Sequence, residues 1–182
     1  MNKLKALLAS SVLVVATAFT AQAQTNARYA GFGPQMGDWE LTLGGGGATN
    51  KDLDNSAGSV NFSVGHFLSD TLSVSLRQSV GYSNPDVGGS SWDGSTFVAL
   101  DHHFGTGNLR PFLGVNFGGI YGDNTSDTLA AGIEGGLKLY VKEKTFVFAL
   151  VNYAWTFNSS RGLSNNFDDG AILWSLGVGF NF

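Results

Sequence analysis

Three histidines, His66, His102 and His103, are the side chains of this chain that could exchange a proton near neutral pH, since an unperturbed imidazole titrates near pH 6.5. Asp101 and His103 stand two residues apart, so they share a face of an extended segment, and Ser73 and Ser75 follow the same spacing in a neighbouring segment. That is the raw material of a Ser-His-Asp relay. The relay would point into a packed interior with no path for an acyl chain, so no catalytic residue is assigned. His102 has the opposite phase and His66 falls at a segment end, where both suit an interfacial ring.

Eight aspartates, Asp52, Asp54, Asp86, Asp93, Asp123, Asp127, Asp168 and Asp169, fall between the periodic segments, with only Lys51 and Arg161 as cations. Carboxylates and loop carbonyls suit Ca²⁺, and Asp168-Asp169 and Asp123-Asn124 with Asp127 are the densest groups. Asp, Asn, Gly and Ser are also ordinary turn formers, and no EF-hand spacing occurs, so neither a metal nor a cofactor is assigned. Gly44 to Gly47 lack the G-K-[ST] ending of a phosphate loop and precede no helical pattern. The absence of Cys removes disulfides, thiolate nucleophiles and Cys-based zinc sites.

The elements that position these residues follow from an odd composition. Of 182 residues, 26 are Gly, 14 are Phe and only 13% are charged, while 43% are hydrophobic. Such a chain is too apolar to be disordered. Its formal charge of −4 lacks the basic stripe of a nucleic-acid binder.

Residues 1–23 read as a cleavable signal peptide. Lys3 and Lys5 form the basic start, Ala6 to Ala18 the short apolar run, and Ala21-Gln22-Ala23 the small-residue cleavage pattern. Removal of that leader lowers the basic count from 10 to eight against 14 acidic residues, a net charge of −6. Residues 24–37 are then a periplasmic lead, and 38–182 a barrel.

Beyond Gly37 the apolar residues recur with period two, the signature of strands. The series are Trp39-Leu41-Leu43, Val60-Phe62-Val64, Leu72-Val74-Leu76 on to Val80 and Tyr82, Val98-Leu100-His102-Phe104, Leu113 to Tyr121, Ile133 to Val141, Val147 to Phe157 and Ile172 to Phe182. Eight segments of this length match strands that cross a bilayer at a tilt. None of the residues in the apolar phase is charged; Glu40, Arg77, Asp101, Glu134 and Lys138 all occupy the other phase. That second phase is otherwise small and polar, as in Ser73-Ser75-Arg77-Ser79-Gly81, which fits the inside of a narrow closed barrel better than a surface in water. The expectation is an all-β, eight-stranded, antiparallel up-and-down transmembrane barrel with its apolar phase on lipid. Its lumen is filled by a polar network of Glu40, Arg77, Asp101, His103, Glu134 and Lys138.

Connections are expected to alternate, with tight turns at Leu68 to Asp70, Gly105 to Asn108 and Glu143-Lys144, and longer loops at Asn50 to Ser56, Ser83 to Asp93, Gly122 to Asp127 and Asn158 to Asp169. The tight turns then face the periplasm. Tyr82, Tyr121, Tyr153 and Trp155 fall at the outer interface, and Trp39, Phe104, Phe180 and Phe182 at the inner one.

The last residues, Trp174, Leu176, Val178, Phe180 and the terminal Phe182, alternate with small or polar ones and look like the C-terminal signal read by the outer-membrane assembly machinery. With the leader and eight segments, the chain resembles the small OmpA/OmpX-type outer-membrane β-barrel domain family. The resemblance implies the fold and the outer membrane of a Gram-negative-type bacterium. Its expected partners are outer-membrane lipid and lipopolysaccharide, with the barrel-assembly machinery and periplasmic chaperones during biogenesis. A monomer is expected, without nucleic acid. The chain stops at the last strand, so a peptidoglycan-binding domain is not expected. The function expected is non-enzymatic, envelope-structural or surface-interacting; the alternatives are a lipid A-modifying enzyme and a low-conductance pore.

Overall fold

The computed structural model describes residues 31–50, 56–83, 91–123, 127–157 and 170–182. Among them are eight strands: β1 Trp39–Asn50, β2 Ser56–Phe67, β3 Leu72–Ser83, β4 Ser91–His103, β5 Leu109–Gly122, β6 Thr128–Tyr140, β7 Thr145–Phe157 and β8 Gly170–Asn181. Each pairs antiparallel with the next, and β1 pairs with β8, so the sheet closes into a barrel without a free edge. The leader, the lead up to residue 30, and Lys51, Asp52, Asp54, Asp86, Arg161, Asp168 and Asp169 lie outside the described residues.

The period-two pattern explains the register. One outward row runs Leu41, Val64, Leu76, Val98, Phe117, Ala131 and Trp155 across seven successive strands. A slip by one residue would turn every such side chain inward. Outward aliphatic residues remain open on the barrel wall, with Leu43 58%, Val115 56% and Leu176 58% exposed.

The tight turns span residues 68–71, 104–108 and 141–144. The strands at the other end are linked by 51–55, 84–90, 123–127 and 158–169, so the contrast in length rests on the second and fourth of these. β2, β4, β5 and β6 begin ahead of their apolar series, at Ser56, Ser91, Leu109 and Thr128. β4 takes in Ser91, Trp92 and Asp93, because Tyr82 pairs with Trp92 and their rings meet at 5.0 Å. β5 starts at Leu109 although Pro111 lacks a donor; the Pro111 carbonyl still accepts from Phe104 N at 2.8 Å. Phe104 and Val141, both assigned to strands from the alternation, stand in turns.

Candidate functional site

The strands' inward phase brings nearly all the chemistry-bearing side chains into one lumen. At the tight-turn end, Phe67, Phe112, Tyr140, Phe146 and His103 form a buried floor. Lys138 enters it from β6 and places Nζ 5.6, 5.5 and 5.0 Å from the ring centres of Phe67, Phe112 and Phe146. The same Nζ donates to both carboxylate oxygens of Glu40 at 2.7 Å. Three aromatic faces and a bidentate counter-ion together replace the water the ammonium loses.

One layer further in, Arg77 donates to Asp101 Oδ2 at 2.6 Å and to Glu134 Oε1. Asn116 Nδ2 donates to the second oxygen of Glu134. Asp101 on β4 and Glu134 on β6 both face Gly114 of β5. A Cβ there would run into the Asp101 carboxylate and the Leu100 carbonyl, so the glycine is what lets the two carboxylates share one guanidinium. A cavity of about 100 Å³ is lined by Glu40, Arg77, Glu134 and Lys138 of these layers and by Asn61 and Ser175 among others.

His103 is 1% exposed, packed between Phe67 and Phe112 with ring separations of 5.2 and 5.4 Å. Neither of its ring nitrogens has a hydrogen-bond partner. Asp101, the acid that would orient it, is engaged by Arg77, and the Ser75 hydroxyl is also unpartnered. Ser73, Ser75, Asp101 and His103 thus share a face without forming a relay. His102 and His66 point outward beside Phe104 and Trp39, with ring centres 4.9 and 4.8 Å away. Among the described residues no three His, Cys, Asp or Glu side chains converge as metal ligands would.

Several site residues escape the sequence pattern. Arg110 lies in the inward phase of β5, hidden from the alternation by Pro111. It is 3% exposed, and its guanidinium donates to the carbonyls of Phe32, Thr106, Gly107 and Asp70. Phe32 belongs to residues 31–38, which cross the tight-turn end: Gly33 N donates to Glu143 O at 2.8 Å, Met36 N to Asp70 Oδ1 at 2.7 Å and Gly37 N to Phe67 O at 2.8 Å. Gly33 has φ +98°, and a Cβ there would land on the Arg110 guanidinium.

The second surprise is on the outward face. Tyr121, expected in an aromatic girdle, turns its ring over Gly94. Its hydroxyl accepts from Gln78 Nε2 at 2.7 Å and lies 3.0 Å from Thr96 Oγ1, which in turn donates to Gln78 Oε1 at 2.7 Å. If Tyr121 donates to Thr96, the three bonds form a closed ring on an otherwise apolar wall. The sequence signal was available: Gln78 and Thr96 are paired polar residues in the apolar phase.

No protein-family model matches the chain, and no curated protein matches it in sequence. Solved structures do match in shape. The N-terminal β-barrel domain of Pseudomonas aeruginosa OprF is similar at a TM-score of 0.60 and 23% identity, over 82% of this chain and 100% of that one. Neisserial surface protein A is similar at 0.61 and 15% identity, over 80% and 96%. Ail, the attachment invasion locus protein of Yersinia pestis, is similar at 0.53 and 14% identity, over 81% and 100%. At these identities the likeness concerns architecture. Closed antiparallel pairing of eight strands and this shared shape give the chain the fold of the small OmpA/OmpX-type outer-membrane β-barrels.

Proposed function

We propose that this chain is an integral outer-membrane protein of a Gram-negative-type bacterium, non-enzymatic, whose barrel supports the envelope or presents its longer loops to partners at the cell surface. The observation that carries the reading is the division of side chains by phase. Glu40, Arg77, Asp101, Glu134 and Lys138 are turned into the lumen and ion-paired there, while Leu43, Val60, Val98, Leu113, Phe117, Ile133, Val151 and Leu176 are more than half exposed on the wall. In water that wall would be an aggregation surface far larger than monomers tolerate. In hydrocarbon it is the solvent-matched face, and closure leaves no edge unpaired among the eight strands.

With the tight turns in the periplasm, the wall meets outer-membrane lipid and lipopolysaccharide, and the outward row Trp174, Leu176, Val178, Phe180 and Phe182 serves the assembly machinery. The test is expression in a Gram-negative host followed by envelope fractionation and gel mobility with and without heating. Outer-membrane recovery of a heat-modifiable band supports the reading; recovery as a soluble periplasmic protein overturns it. A change in lipid A mass spectra on expression would instead favour the enzyme. The lumen cavity favours a second reading, a low-conductance pore, which planar-bilayer recordings separate from a closed barrel.

A further inference from the structure

The seam between β1 and β8 joins the two ends of the chain, and its strands carry little information about register. In the seam Gly44 faces Gly177, Gly45 faces Leu176 and Gly46 faces Ser175. Every second residue of β8 from Ile172 to Phe180 is apolar, so a slip of two residues keeps apolar side chains outside and small ones inside. Gly-rich, uniformly patterned strands are the ones prone to slip.

Two features break this degeneracy: the Phe148 ring lies over Gly44 and Gly177, leaving no room for a Cβ at Gly177, and Asn181 makes the specific polar contacts. Asn181, opposite Glu40 in the pairing, is 3% exposed and bonded on three sides. Its Nδ2 donates to Glu40 Oε2 at 3.1 Å, its Oδ1 accepts from Tyr140 OH at 2.8 Å, and its backbone N donates to Lys144 O at 2.8 Å. Lys144 in turn pairs with the Asp38 carboxylate just before β1. Glu40 is itself held by Lys138, and Tyr140 packs against Phe146 at 5.1 Å. Tyr140 is thus held within the β6–β7 hairpin, local in sequence, while Glu40 is held across the lumen by Lys138 of β6. A further polar mark is weaker: Ser175 Oγ donates to Asn61 Oδ1 at 2.9 Å across β1.

We infer that Asn181 sets the register of barrel closure through its polar contacts, reading the Tyr140 hydroxyl and the Glu40 carboxylate to select one alignment of β8 on β1. A shift of two residues places Gly179 at that point, which has no side chain to bond; the buried Tyr140 hydroxyl then loses its acceptor, and Glu40 keeps only its bonds to Lys138.

The chain has no Cys, so engineered pairs report register directly. Leu43 faces Val178 in the native pairing; in a two-residue slip it faces Leu176 or Phe180. Full-length barrels carrying L43C with V178C, L176C or F180C are refolded in micelles, oxidised and assayed for cross-linking, with V98C and F117C, which face each other between β4 and β5, as a control. With Asn181 present only the 43–178 bridge is expected. Asn181→Ala, which keeps the backbone bond, is expected to raise the slipped-to-native ratio about tenfold or more, the weight of one to two hydrogen bonds, with the control bridge unchanged. Should Asn181→Ala fail to refold, Tyr140→Phe is read in the same way, with a smaller rise. Native-only cross-linking in the variant that folds overturns the inference.

Discussion

Lys138 Nζ and Glu40 meet at 2.7 Å through both carboxylate oxygens, 98 residues apart in sequence and inside a ring of three phenylalanines. Removing one member of a buried pair leaves an uncompensated charge, which costs about 3–5 kcal/mol, whereas replacing both by apolar residues of similar size is often neutral. Lys138→Met is therefore expected to lower refolded-barrel stability by about that amount, and Glu40→Leu with Lys138→Met to recover most of it. Urea titration of the heat-modifiable band checks both; equal losses in the single and double variants would mean that packing, not charge pairing, holds the floor.

The ring of Gln78, Thr96 and Tyr121 is expected to behave as a unit. Tyr121→Phe strips one partner from each of the other two, with an expected loss of about 1–3 kcal/mol. Gln78→Leu combined with Tyr121→Phe is expected to restore part of it, because the stranded amide is gone. A double-mutant cycle measures the coupling, and additive losses would show three independent residues.

At the tight-turn end, Gly33→Ala is expected to push residues 31–38 off the barrel, since its φ of +98° disfavours a side chain and the new methyl overlaps Arg110. Arg110→Ala is expected to act likewise by removing the donor to the Phe32 carbonyl. The check is limited chymotrypsin digestion followed by intact mass: earlier cleavage near Phe32 in both variants, with the barrel core unchanged. A digestion rate equal to that of the parent chain would show that the segment is held by other bonds.

Much of the fold was legible because alternation is redundant. Leu72, Val74 and Leu76 already state the face of β3, and each later pair repeats the message. The ends of β4 and β5 were harder, since Ser91 and Asp93 look like loop residues until Tyr82 packs against Trp92, and Pro111 reads as a break. For the site, phase placed Glu40, Arg77, Asp101, Glu134 and Lys138 inward but did not say which carboxylate meets which cation. That depends on stagger around the barrel, visible only where β1 to β8 are closed. Arg110 stayed unread because Pro111 interrupts the alternation, and the role of Asn181, inward by phase, because its partners Glu40 and Tyr140 lie on β1 and β6.

A further expectation concerns lipid contact. Leu76, 42% exposed on the wall, replaced by Arg, is expected to destabilise the barrel by about 2–4 kcal/mol near the bilayer midplane. Urea refolding into vesicles measures it. If Leu76→Arg were harmless while Ser75→Arg was not, the assignment of faces would be inverted.

The most direct measurement is a nitroxide scan along β3 in reconstituted bilayers, one Cys at a time from Leu72 to Leu76, comparing relaxation by lipid-soluble oxygen with relaxation by a water-soluble nickel chelate, alongside single labels at Leu113, Val115 and Phe117 of β5. A lipid-facing wall predicts a period of two, with oxygen dominating at Leu72, Val74, Leu76, Leu113, Val115 and Phe117 and little access for oxygen at Ser73 and Ser75. Nickel access at Leu113, Val115 and Phe117, or no alternation at all, would contradict a lipid-facing wall.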